Sequence, residues 1–324
     1  MKRMFLITAA AAAFAFGAVS ARAAEEVTYL FPAPDFLPAF APFQLAKAKG
    51  YFDEAGLDVT FRVGKGGADV ATQVAAGNAD LGGGIGDTSI IVRANGLEVR
   101  GVALLGGRGL TQLAWRKDSG ITGPEGFKGK SVGVLAFQDT TYYNLLGVLA
   151  SVGLGKDDAN IQAVGPGGII QLMIAGQLDA MSGVPEWIAA VQGAGVEVEQ
   201  VPVDTVFPAM AQAIIASDRS IAERPEVVGG FVKAVLRGVA DIQADPAQAA
   251  KDFVAAVPQH AGKEAEVEAI LTAYAEKVYP AAEGQPLGTF DPARIKAVQD
   301  FYIQQGIVQT AVPVEDLYTN EFAR

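Results

Sequence analysis

The sequence predicts an α/β protein built as two lobes, and three observations carry that expectation. From Val27 to Pro202, short β-like runs alternate with helical runs, the order that gives helix-covered, largely parallel sheets. The chain has 324 residues, more than the ~250–300 at which a single core stops growing. One stretch also echoes another. Ala76-Gly77-Asn78-Ala79-Asp80 runs into Leu81 and three glycines, and Ala175-Gly176-Gln177-Leu178-Asp179 runs into Ala180-Met181-Ser182-Gly183. Both read as a helix closed by a C-terminal glycine, a turn, an aspartate and a short strand ending in glycine. Two lobes built alike, each ending a strand at a shared cleft, would give that recurrence.

Residues 1–23 stand apart. Met1-Lys2-Arg3 is a short positive start, Phe5 to Val19 is almost unbroken apolar sequence, and Ala21-Arg22-Ala23 supplies small residues around a cleavage point. This is the layout of a secretory signal peptide, and the run is short of the ~20 residues of a membrane span. Next, 27–31 reads as a strand and 36–49 as a helix stopped by Gly50, with Pro38 tolerated in its first turn. Residues 57–63 alternate as a strand, and the glycine-rich turn 64–67 opens a helix through Ala76. Strands are expected at 99–105, 110–116 and 131–135, and a helix at 140–151. After Ser217 the pattern changes to helices at 225–244, 246–257, 263–277 and 291–304, separated by Pro and Gly. This helical third is expected to pack back on the first lobe.

Composition removes several function classes. The 25 Lys+Arg face 36 Asp+Glu, a net −11, and no basic stripe interrupts the acidic surface. Such a chain repels phosphate backbones and anionic lipid, so neither nucleic acid nor direct lipid binding is expected. Cleavage after Ala23 would remove three basic side chains and no acid, leaving 22 basic against 36 acidic, or −14. There is one histidine, His260, between two helices, and no cysteine. His/Cys metal sets, Ser-His-Asp or Cys-His nucleophiles, disulfides and a lipid-anchored cysteine are therefore unsupported. No Walker sequence and no dinucleotide glycine fingerprint follows a strand. The expectation is binding without turnover, with no cofactor, no metal and a monomeric chain.

At this point a resemblance enters. Ala46-Lys47-Ala48-Lys49-Gly50-Tyr51-Phe52, then Glu54-Ala55-Gly56-Leu57-Asp58-Val59, and later Phe127-Lys128-Gly129-Lys130-Ser131-Val132-Gly133-Val134, resemble the solute-binding proteins of ABC importers for thiamine pyrimidine precursors, alkanesulfonates, taurine and nitrate. The likeness covers Val27 to about Tyr318. It implies a type II periplasmic-binding-protein fold of two α/β lobes joined by a two-crossing hinge. It also implies a periplasmic location, a small-molecule ligand and an inner-membrane permease as partner. The crossings are placed near 116–119 and 208–211, giving a first lobe of 24–116 plus 211–324 and a second lobe of 117–208. The same fold hosts pyrimidine-synthase-like and menaquinone-pathway enzymes. The synthase depends on an active-site histidine, and none lies in the cleft segments here. A sensory or chaperone-like module feeding a membrane receptor is a further alternative.

Ligands in such sheets bind beyond the carboxyl ends of strands, where helix N-termini point. Five segments fit: 31–37, 66–69, 84–89, 136–142 and 183–187. The candidate contacts are Phe36, Gly67, Asp69, Asp87, Thr88, Phe137, Gln138, Thr140, Thr141, Tyr142, Pro185, Glu186 and Trp187, with Arg108 in the loop 106–109. Asp87 and Asp139 read equally as helix N-caps, and Phe36 and Phe40 equally as core. Thr140, Thr141 and Tyr142 offer hydroxyl donors, and Trp187 a stacking wall. Asp35, Asp69, Asp87, Asp139 and Glu186 outnumber Arg108 and Lys65, and Phe31, Phe36, Phe137, Tyr142 and Trp187 lie among them. That balance favours a neutral or weakly basic heteroaromatic of the aminopyrimidine kind over a sulfonate, taurine or nitrate.

Export predicts cleavage after Ala23. The intact mass of protein recovered from periplasm should begin at Ala24; a cytoplasmic product that retains Met1 would refute it.

Overall fold

A computed structural model describes residues 23–137 and 139–323. The export segment therefore lies outside the described residues, apart from its last residue. In chain order the elements are β1 (Glu25–Phe31), α1 (Ala41–Ala48), α2 (Tyr51–Glu54), β2 (Leu57–Val63), α3 (Gly67–Ala75), β3 (Leu81–Ile85), α4 (Thr88–Arg93) and β4 (Val99–Leu104). Then come β5 (Gln112–Arg116), β6 (Ser131–Val134), α5 (Thr140–Ser151), β7 (Asn160–Ala163), α6 (Gly165–Ile174), β8 (Ala180–Gly183), α7 (Pro185–Gly193) and β9 (Val198–Pro202). The chain closes with β10 (Gln212–Ser217), α8 (Asp218–Glu223), α9 (Pro225–Ala244), α10 (Pro246–Ala256), α11 (Glu264–Lys277), α12 (Pro292–Gln304) and α13 (Val314–Leu317). The helix expected from residue 36 begins at Ala41 instead. Pro42 has no N–H to give to Pro38, so the backbone makes a 3₁₀ turn over Pro38–Phe40 first.

The strands form two five-stranded sheets, ordered β2-β1-β3-β10-β4 and β7-β6-β8-β5-β9. Each is mixed rather than wholly parallel. β10 runs antiparallel to β3 and β4, and β5 antiparallel to β8 and β9, while the remaining pairings are parallel. This pairing corrects the first crossing. β5, expected in the first lobe, belongs to the second sheet, so the chain crosses at 105–111 and not at 116–119. Strand patterning reports a strand's faces and not which sheet it joins. The return runs through 203–211.

The echoed segments have a physical meaning. Gly77 and Gly176 both end their helices with positive φ, at 75° and 70°, a conformation glycine adopts without strain. Asp80 then accepts the backbone N–H of Thr28 at 2.8 Å, and Asp179 that of Ser131 at 2.8 Å. In each lobe one aspartate ties the strand that follows it to the neighbouring parallel strand.

The C-terminal helices cover the first sheet. α9 lays its buried stripe, including Val228, Phe231, Val232, Val235 and Val239, over β1, α1 and α2. Phe231 stacks on Tyr29 and on Phe52, with ring centroids 5.0 Å away in each case. α1 and α9 approach so closely that a Cβ on Gly238 would sit 2.2 Å from the carbonyl oxygen of Pro42. Gly238→Ala should therefore lower stability by ~1–3 kcal/mol, because backbone and not a flexible side chain must yield. Denaturant unfolding measures it, and a change below ~0.5 kcal/mol would mean the helices separate freely.

Candidate functional site

A cavity of about 420 Å³ lies between the two sheets, within the range of small-molecule sites. The carboxyl ends of six strands supply most of its wall. From the first lobe come Pro32, Ala33, Pro34 and Leu37 after β1, Gly66 and Gly67 after β2, and Thr88 after β3. From the second come Leu135, Asp139, Thr140 and Thr141 after β6, Pro166 after β7, and Val184, Glu186 and Trp187 after β8. Leu105 and Leu110 enter from the first crossing, Gln212 and Ala213 from β10, and Tyr274 from α11.

The wall is apolar and aromatic, with a few convergent polar groups. Tyr29, Phe40 and Phe43 belong to one ring cluster around Phe31, and all three line the cavity. Asp139 caps α5: its Oδ1 accepts the Thr141 N–H at 2.8 Å and the Thr141 hydroxyl at 2.7 Å. Burial raises its carboxyl above the usual aspartate range, and those bonds oppose the rise. Burial likewise raises Glu186 above the ordinary glutamate range. Among the described residues that line the cavity, none is Lys or Arg.

Three hydrogen bonds tie the second lobe to the rest of the molecule beside the cavity. Thr140 donates to Asp87 Oδ1 at 3.2 Å, and Tyr302 of α12 donates to the other oxygen at 2.5 Å. Tyr274 of α11 donates to Glu186 Oε2 at 2.6 Å. Asn144 of α5 donates to Thr111 in the first crossing at 2.8 Å. The crossings themselves are held from α12. The Arg294 guanidinium donates to the Gly107 carbonyl in one crossing and to the Pro208 and Ala209 carbonyls in the other.

The structure brings Gly67, Thr88, Thr140, Thr141, Glu186 and Trp187 to the cavity wall, and Asp139 with them. It places the other candidates elsewhere. Asp69 turns back to accept the Lys65 N–H at 2.8 Å. Arg108 pairs with Asp204 at 2.7 Å, one crossing to the other. Asp87 neither caps α4 nor lines the cavity; it is the buried acceptor between Thr140 and Tyr302. Phe36 lies beside His260, whose Nε2 is 2.8 Å from the Phe36 carbonyl; a carbonyl only accepts, so that nitrogen carries the proton. Phe137 is 53% exposed and packs edge-on to Tyr142 outside the cavity. Pro185 is buried in the first turn of α7, between two lining residues. Gln138 lies outside the described residues.

Sequence reasoning missed the sixth loop and the crossing residues. Gly165-Pro166-Gly167-Gly168 opens α6 as Gly64-Lys65-Gly66-Gly67 opens α3, so carrying the internal echo one loop further would have found Pro166. Gln212 and Tyr274 gave no local signal, since only tertiary packing brings them there.

The profile of the NMT1/THI5-like family matches residues 37–249. The riboflavin-binding protein RibY of Chloroflexus aurantiacus is 26% identical over 291 residues, covering 87% of this chain and 82% of that protein. The 4-amino-5-hydroxymethyl-2-methylpyrimidine phosphate synthase of Aspergillus parasiticus is 28% identical over 238 residues, 67% of each chain. Among solved structures, the alkanesulfonate-binding protein SsuA of Xanthomonas axonopodis pv. citri, bound to MOPS, superposes with a TM-score of 0.70 at 19% identity, covering 92% of this chain and 99% of that one. The fold is that of the periplasmic binding proteins.

Asp87 gives this arrangement a pH signature. Burial pushes its carboxyl up to about 6, against the pull of the Tyr302 and Thr140 hydroxyls and with a further push from Asp139. The folded value lies above the unfolded one near 4, so the native state binds the proton more tightly. The stabilising contribution is full below pH ~4 and is lost as pH rises through ~6, by as much as ~3 kcal/mol. Asp87→Asn, which cannot ionise, should gain on the wild type between pH 4.5 and 7.5 in urea unfolding. A gap between the two proteins that is the same at both pH values would show Asp87 titrating as an ordinary aspartate.

Proposed function

This chain belongs to the NMT1/THI5-like family, and we propose that it is the extracytoplasmic substrate-binding component of an ABC importer, carrying a small flat heteroaromatic molecule. The observation that carries the reading is the chemistry of the cavity between the lobes. Aromatic and aliphatic walls face Asp139, Glu186 and the Gln212 amide, with no Lys or Arg among the lining residues. Rings stack on such walls, and carboxylates accept hydrogen bonds from amino groups or protonated ring nitrogens. The names of two relatives, for riboflavin and for an aminopyrimidine phosphate, share a flat, nitrogen-rich ring.

A sulfonate or nitrate has one observation in its favour. The N-termini of α3 and α7 open at the cavity without side-chain caps, and such ends attract anions. Glu186 in the first turn of α7 and Asp139 on α5 oppose it, since each would place a carboxylate near the anion. Turnover has less support. The single histidine does not line the cavity, and no nucleophile–base pair is found among the lining residues. Export through a cleaved signal peptide, a permease partner and a monomeric state belong to the same proposal, as does the division at the two crossings into a hinged pair of lobes.

Calorimetry on ligand-stripped protein tests it, with pyrimidines, riboflavin, taurine, alkanesulfonates, nitrate and aromatic carboxylates as titrants. The expected outcome is tight binding of a heteroaromatic, weakened by ~1–3 kcal/mol in a folded Trp187→Ala variant that has lost the stacking wall. Tight binding of an anion and of no heterocycle would replace this reading with the anion one.

A further inference from the structure

Gln212 is the first residue of β10, where the chain returns to the first sheet. It lies opposite Ile85 of β3, and its main-chain carbonyl accepts the Leu105 N–H at 2.8 Å. Its side chain is only half satisfied. The amide nitrogen donates to the Ala39 carbonyl at 3.0 Å, while the amide oxygen is buried without a hydrogen-bond partner. Turning the amide over does not rescue it. The Ala39 carbonyl can only accept, so the nitrogen must face it and the oxygen must face elsewhere. Gln212 is 7% exposed and stands in the cavity wall beside Ala39, Ile85 and Leu105, which also line it.

A buried carbonyl left without a donor costs free energy comparable to a lost hydrogen bond, and an acceptor kept in that state beside a ligand-sized cavity fits a donor that arrives with the ligand. Glu186 is the matching acceptor on the opposite lobe, with one oxygen already held by Tyr274. Building on the proposed function, we infer that Gln212 is a specificity-determining residue whose side-chain carbonyl accepts a hydrogen bond from a ligand N–H, while Glu186 accepts another from the second lobe. The ligand class narrows accordingly: flat heterocycles carrying N–H donors, from an amino substituent or a ring imide, on two edges. An analogue of the same shape without the donor leaves the Gln212 oxygen buried and unpaired, and that is how polar sites reject near-isosteres.

Gln112 supplies an internal control. It is the first residue of β5, the crossing strand of the other sheet, and its amide oxygen is also buried without a partner. It is 0% exposed and does not line the cavity. An orphan carbonyl at a crossing strand is therefore a repeated structural feature, and position in the cavity wall is what separates Gln212 from it.

The test uses two matched pairs of ligands, 4-amino-2-methylpyrimidine with 2-methylpyrimidine, and riboflavin with 3-methylriboflavin. Each is titrated by calorimetry into the mature wild type, Gln212→Met and Gln112→Met, with circular dichroism confirming folding. For the pair that binds, the wild type should favour the N–H-bearing member about tenfold. Gln212→Met should lose about tenfold for that member and stay within about twofold for the blocked one, erasing the preference. Gln112→Met should leave both affinities unchanged. A wild type that binds both members of a pair equally overturns the inference while leaving the heteroaromatic reading intact, and needs no variant to fold. Equal losses for both members in Gln212→Met, or no loss at all, overturn it as well. A wild type that binds no member of either pair overturns the functional reading, and this inference with it.

Discussion

The arrangement depends on the chain crossing twice between its sheets and entering each new sheet against the grain. β5 and β10 each run antiparallel to the strand beside them. Because the chain enters both lobes from the cleft, the parallel strands of each lobe point their carboxyl ends back toward it. Six loops and the helix N-termini that follow them then face one another across one cavity, without any loop having to be long. The same topology joins the two sheets through two short segments, 105–111 and 203–211. Arg294 reaches carbonyls in both, and Arg108 pairs with Asp204 between them. Burial lowers the Arg294 pKa from its usual value, with Asp204 opposing that fall. A guanidinium stays charged at such depth, so it remains a fixed donor fork for the three carbonyls.

Charge at the cleft follows a consistent rule. Each acid near the cavity is held by neutral donors and not by a cation: Asp87 by Tyr302 and Thr140, Asp139 by Thr141, Glu186 by Tyr274. The cations are spent elsewhere. Arg93 and Arg100 share Asp218, Arg224 takes Asp80, and Lys49 takes Asp241 and Asp252. Neutral donors leave a carboxylate's charge only partly compensated, which is why burial dominates and raises all three carboxyls. Such carboxyls repel an anion and can accept a hydrogen bond from a donor, which is the charge argument behind the proposed ligand class.

Much of the fold was legible because local signals agreed with the tertiary outcome. The helix over 140–151 and the long helix at Pro225–Ala244 fall where the pattern put them, bounded by an aspartate cap and by Pro at the start. The echo around Asp80 and Asp179 was visible as composition, and the structure gives it a cause in the paired backbone bonds to Thr28 and Ser131. Sheet membership was not legible. The residues of β5 alternate in the same way whichever sheet they join, so the first crossing was set about ten residues late. The site was half legible for a related reason. Strand ends and helix starts announce themselves by Gly, Asp and Thr, which found Gly67, Thr88, Asp139, Thr140 and Glu186. Whether a side chain then turns into the cavity or back onto its own turn is decided by neighbours distant in sequence. Asp69 turned back to Lys65, and Arg108 was taken by Asp204.

The proposed hinge would have to break the bonds that join the lobes beside the cavity. A hydrogen bond inside the protein replaces one to water, and its net worth is ~0.5–1.5 kcal/mol, rising to ~1.5–3 where one partner is charged. The bonds from Thr140, Tyr274 and Asn144 therefore sum to a few kcal/mol. Against them stands the rehydration that opening offers to Asp87, Asp139 and Glu186, all raised by burial. Apolar packing adds to those bonds: Tyr143 lies 5.5 Å from Tyr302 and Phe207 4.9 Å from Phe301, ring centroid to ring centroid. A ligand that touches both lobes tips such a balance by the difference in its affinity for the two states. Trp187 and Glu186 line the cavity from one lobe, and Tyr29, Phe40 and Gln212 from the other. On the proposed function, a molecule that touched only one set would bind without favouring closure, so recognition and closure would rest on the same contacts.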